Sequence, residues 1–103
     1  MKYRVIELTA GNIRNDHLYL TQAMDLFPVD SIGGSNIDAE APQRIEIHCG
    51  IDQPVLTDIA GDKKIFRKRA WVKEFFASHQ LEAGSAIVIE HTGGNRYHIY
   101  PRR

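Results

Sequence analysis

The chain has 103 residues, with an apolar share of 43% and a charged share of 25%. These are ordinary globular values, which exclude disorder and fit one domain over 1–103 built on a single core. Thirteen Lys and Arg offset thirteen Asp and Glu, which excludes the uniformly basic coat of a non-specific chromatin-type binder.

Lys2 to Leu8 is β-prone and ends at Thr9-Ala10-Gly11-Asn12, a loop opener. His17 to Leu20 reads as a short strand. Thr21 can cap a brief helix through Leu26, stopped by Pro28. Residues 29–42, with Gly33-Gly34-Ser35 and Pro42, read as a long polar connection. Arg44 to Cys49 alternates, placing Ile45, Ile47 and Cys49 on one face and Arg44, Glu46 and His48 on the other. Pro54 to Ile59 is a further strand, Gly61-Asp62 turns the chain and Ile65 to Lys68 returns it. Trp71, Val72, Phe75, Phe76 and His79 share one stripe of a helix. Ser85 to Glu90, the turn Thr92-Gly93-Gly94-Asn95 and Arg96 to Pro101 close the chain as a hairpin. The pattern predicts a mainly β fold, a seven-stranded open barrel-like sheet with two short α-helices.

Neutrality conceals an asymmetry. Residues 1–52 hold four Lys/Arg against eight Asp/Glu, and residues 53–103 hold nine against five. The excess is concentrated at 63–73, Lys-Lys-Ile-Phe-Arg-Lys-Arg-Ala-Trp-Val-Lys, with six cations and no acid. A cationic edge on a neutral domain suits a polyanion met at one face, with nucleic acid first among the partners. The bland alternative is a solvated strand–helix junction. Arg67 and Arg69 share a strand face opposite Lys68, so the three cannot all meet one groove.

The order of motifs resembles the DNA-binding pseudobarrel family. Its members include the plant B-three domains of auxin-response and abscisic-acid-response factors and the effector domains of type II restriction endonucleases. The resemblance runs through Leu8-Thr9, His17-Leu18-Tyr19-Leu20 and Phe27-Pro28. It continues through Arg67 to Arg69, Trp71, Phe75-Phe76, Leu81, Gly84 and Ile87-Val88-Ile89. It covers nearly the whole chain. Gly84-Ser85 replaces the family's Gly-Asp, and a serine there can still bond a turn amide. The segment 30–36, Asp-Ser-Ile-Gly-Gly-Ser-Asn, looks like bacterial members.

The resemblance implies a monomeric, sequence-specific binder of double-stranded DNA in a restriction-modification or regulatory setting, alongside a nuclease or methyltransferase. It also implies two arms in one major groove, Thr9 to Asp16 and Thr57 to Lys64 running into Arg67 and Arg69. Side-chain chemistry then makes Asn12, Arg14, Asn15 and Asp58 base readers. Thr9, Thr57, Lys63, Lys64, Arg67, Lys68 and Arg69 would hold the backbone. Against this, Asn12 and Asn15 can satisfy loop amides, and Asp16 and Asp58 can orient a neighbouring arginine. The rival functions are a protein-interaction domain that sets its basic ridge on an acidic partner, and a reader of RNA or of a modified base.

Catalysis has little purchase on this sequence. The five histidines are scattered, with no paired metal-ligand spacing, and no nucleophile elbow, P-loop or Rossmann glycine pattern occurs. Cys49 aligns with Ile45 and Ile47 as a small core residue, and as a lone cysteine it forms no internal disulfide. No apolar stretch approaches the ~20 residues of a membrane span, and the start lacks the apolar run of a signal peptide. The expectation is a cytoplasmic, non-catalytic protein without cofactor, metal or membrane partner.

Overall fold

Apolar alternation organises the larger of two sheets. The computed structural model describes residues 2–102, and Met1 and Arg103 lie outside them. In chain order the regular elements are β1 (Tyr3–Glu7), α1 (Ala10–Asn15), β2 (Ile32–Gly33), β3 (Ile45–His48) and β4 (Val55–Thr57). They continue with β5 (Ile59–Ala60), β6 (Ile65–Phe66), α2 (Ala70–Ser78), β7 (Ala86–Gly93) and β8 (Arg96–Pro101). Five strands pair in the order β1-β7-β8-β3-β4 and three in the order β2-β5-β6.

The fold is mainly β with two helices, as the patterning implies. In place of the expected single open barrel-like sheet of seven strands, eight strands form two separate mixed sheets. Each sheet contains one parallel pair, β3 with β8 and β2 with β5.

The expected inward faces are inward. Ile45 and Ile47 are buried on β3 and Cys49 just past its end, Ile87 and Ile89 on β7, and Tyr97 and Ile99 on β8. Helix α2 lays Trp71, Val72, Phe75 and Phe76 into the same cluster. Tyr97 is fully buried, and its hydroxyl donates to the Leu26 carbonyl at 2.8 Å. Burial pushes its phenol up to about 12.

Five local expectations are corrected. The strand expected over 65–68 ends at Phe66, so Arg67, Lys68 and Arg69 do not alternate on strand faces. Residues 10–15, expected as loop, are helical. Thr9 is an N-cap whose Oγ1 accepts from the Asn12 amide, and Asn12 Oδ1 accepts from the Thr9 amide in return. That is a capping box with asparagine in the acceptor role usually taken by Glu or Gln. The α-helix expected from Thr21 is a turn and one 3-10 turn, Met24–Leu26. Pro28 holds Phe27 extended (φ −107°, ψ 135°), which leaves no room for a second turn. The segment 17–20 makes one bridge, Tyr19 to Ile65, and no longer strand. Pro54 to Ile59 divides at Asp58, with β4 entering the large sheet and β5 the small one. The substituted Ser85 does what its chemistry allows, its Oγ accepting from the Glu82 amide at 3.0 Å.

Candidate nucleic-acid interface

The two expected arms converge on one side of the molecule. The second is the hairpin of β5 and β6, only two residues per strand, with Gly61 to Lys64 at its tip. A hairpin this short is marginal alone. Three backbone bonds pin it. Lys64 donates to Ala60 at 2.8 Å, Gly61 donates to Gly33 of β2 at 3.0 Å, and Leu20 donates to Lys64 at 2.7 Å. Lys64 itself takes a left-handed conformation (φ 56°), which tightens the tip. The last of these bonds ties the hairpin to the segment that follows the first arm.

At the base of the hairpin, Asp58 and Arg67 face each other. Arg67 Nε and Nη2 donate to the Asp58 carboxylate at 2.7 and 3.0 Å. Two further guanidinium hydrogens reach the Asn36 carbonyl through Nη1 and the Gly34 carbonyl through Nη2, both at 2.9 Å. The Ala41 amide donates to Asp58 Oδ2 at 2.7 Å. The two side chains are 15% and 4% exposed. Burial opposes charge on Asp58, but the Arg67 and Ala41 hydrogen bonds and the guanidinium charge outweigh it, and the carboxyl sits below its ordinary range. Gly33 lies against this corner so closely that a Cβ there would stand 2.4 Å from the Ala39 oxygen.

These contacts sort the expected site residues. Asn12 is 8% exposed and engaged in its cap, and Thr9 spends its hydroxyl on the same cap. Thr57 is buried, donating to the Asp58 carbonyl and accepting from the Lys68 amide. Asp58 and Arg67 satisfy one another. Arg14, Asn15, Lys63, Lys64, Lys68 and Arg69 are exposed, as is Lys73 on α2. Among the described residues the ion pairs are Arg4–Asp25, Arg44–Glu40, His48–Glu46 and Arg67–Asp58. The six exposed cations of the two arms and α2 therefore carry no acidic partner.

Shared lining residues connect three of them, Lys63, Arg69 and Lys73. A hollow of about 390 Å³ runs between α1 and 19–22 and ends at Asn15 and Tyr19. Asn15 also lines a second hollow with His17, Arg69 and Lys73. Arg69 lines a third with Lys63, Ser35 and Asn36. His17 and Tyr19 stand at the junction, Nδ1 and hydroxyl 3.0 Å apart and the rings edge to face. Tyr19 is 47% exposed. These two were missed as site residues, although the alternation of 17–20, with Leu18 and Leu20 buried, is the signal that turns them outward.

With that geometry in view, the fold has a solved counterpart. The chain superposes on the N-terminal domain of Helicobacter pylori LlaJI.R1 with a TM-score of 0.67. The match covers 100% of this chain and 88% of the other at 7% identity, so the likeness is one of fold. No protein-family model and no curated protein matches the sequence. The pseudobarrel resemblance thus extends as far as a loosely related fold.

Among the described residues, no group of three or more His, Cys, Asp or Glu could hold a metal ion. No helix is long and apolar enough to cross a membrane.

Proposed function

We propose that this chain is a non-catalytic module that binds double-stranded DNA through the connected surface of the two arms. Lys63, Lys64, Lys68, Arg69 and Lys73 hold phosphates and set register, and Arg14 and Asn15 at the end of α1 reach base edges. Asn12, Thr57, Asp58 and Arg67 have no contact role, because their polar atoms already hold the arms in shape. The observation that carries the proposal is the set of exposed cations without ion pairs among the described residues, of which Lys63, Arg69 and Lys73 line adjoining hollows, in a chain with equal numbers of acids and bases. Uncompensated charge gathered at one face is an electrostatic footprint for a polyanion. The fold likeness to the LlaJI.R1 domain supports the same direction.

The finer version follows the family resemblance. Both arms enter one major groove, a monomer suffices, and the module serves a restriction-modification or regulatory system with its catalytic partner elsewhere. The test is selection of the bound fraction from a randomised duplex, with wild type and Arg14→Ala in parallel. Enrichment of a short motif by wild type, weakened by Arg14→Ala, is the expected result. Binding without enrichment removes base reading and leaves a phosphate-only binder. No binding at low salt removes the DNA function and directs attention to an acidic protein partner.

A further inference from the structure

The connection between β2 and β3 looks remote from either arm in sequence, yet its first turn is held against the hairpin. Arg67 grips the Gly34 and Asn36 carbonyls at 2.9 Å each. The Gly34 amide donates to Ala39 at 2.7 Å, and Asn36 Oδ1 caps the Asp38 amide at 3.0 Å. A Cβ on Gly34 would meet the Ala39 Cβ at 2.6 Å, so the turn is packed as well as bonded. The loop is therefore anchored at both of its ends, and its exposed residues are presented in one arrangement.

What it presents is complementary to an anion. Ser35 and Asn36 are exposed and share a hollow of about 180 Å³ with Lys63 and Arg69. The Ser35 hydroxyl makes no hydrogen bond among the described residues, and the Asn36 amide nitrogen is left over once Oδ1 has capped Asp38. The third basic group lining the hollow, Arg67, is neutralised by Asp58 and shapes the wall. Two unpaired cations with a hydroxyl and an amide donor form the donor set that binds a phosphate oxygen.

We infer that Ser35 and Asn36 form a third contact segment, which with Lys63 and Arg69 seats one backbone phosphate of the duplex. The inference rests on the DNA-binding reading and extends it to a part of the chain that neither arm includes. It also gives the Asp58–Arg67 pair a purpose beyond stability, since the same guanidinium fixes the hairpin and the turn relative to each other.

The experiment uses backbone amide shifts of the whole chain on adding a random-sequence duplex, together with salt titrations of wild type and Ser35→Glu. Ser35 is exposed, so the carboxylate is expected to leave the thermal melt unchanged while repelling the phosphate. Expected are shifts at Ser35 and Asn36 alongside Lys63 and Arg69, and a log–log salt slope lowered by about 0.9 in the variant. Duplex binding with still amides at 35 and 36 and an unchanged slope overturns the inference and leaves the two-arm reading standing. Absence of duplex binding by wild type overturns both.

Discussion

Arg67 and Arg69 stand two residues apart in one basic run and meet opposite fates. Arg67 is mostly buried, its guanidinium bonded to a carboxylate and two carbonyls at the corner where the chain passes between sheets. Arg69 is exposed at the start of α2, lines two hollows, one of them together with Asp16, and forms no ion pair among the described residues. The difference separates two uses of one residue type. A fork of donors with a buried partner positions backbone, whereas a solvated guanidinium remains available to an outside anion. The neighbouring pair Asp58 and Asp62 divides the same way, the first buried against Arg67 and the second exposed at the hairpin tip.

Breaking the buried half of this comparison should have the largest effect. Arg67→Ala strands the Asp58 carboxylate and two carbonyls, and removing one partner of a buried pair costs about 3–5 kcal/mol. Urea unfolding should report a loss of that order, and a midpoint near wild type would show that the corner does not hold the fold. Gly33→Ala comes next, because the added Cβ collides with the backbone of Ala39 and Ala41. Overpacking of this kind typically costs about 1–3 kcal/mol, read by the same unfolding curve. An unchanged midpoint would mean that residues 39–41 yield freely.

Acid sharpens the contrast further. The Asp58 carboxyl lies below its ordinary 3.8 in the folded chain, so its stabilisation is fully present above that value. It is lost as pH falls through the folded pKa. Asp58→Asn should therefore flatten the acid limb of the stability profile below its ordinary 3.8. A profile that keeps its wild-type slope there would assign the acid sensitivity to other carboxylates. Arg69→Ala belongs at the other end of the scale. As an exposed change it should move stability by less than about 0.5 kcal/mol, and a larger shift in the melt would make Arg69 structural as well.

Much of the fold could be read from the chain. The alternation in β3, the helical stripe of Trp71, Val72, Phe75 and Phe76, and the Gly93-Gly94 turn each announce themselves through period and composition. Helix α1 was hidden because its cap uses Asn12 where the common signal is Glu or Gln, and Gly11 lowers helix propensity beside it. The Asp58–Arg67 corner was harder. Its aspartate offers a base-reading carboxylate and an arginine's partner with equal chemical plausibility, and only burial distinguishes them. The bond from Arg67 to Gly34 and Asn36 spans more than thirty residues, and no local pattern encodes it. The cationic run is legible in the sequence, but which of its members face outward depends on where β6 ends.

The proposed function stands or falls with the exposed cations of the arms and α2 binding duplex phosphates. The most direct test is the salt dependence of fluorescence anisotropy on a short duplex, comparing wild type with Lys63→Ala/Lys64→Ala. If these lysines hold phosphates, the double variant binds every sequence more weakly, with a log–log slope shallower by about 0.9 for each phosphate no longer neutralised. Equal slopes for the two proteins would contradict that role.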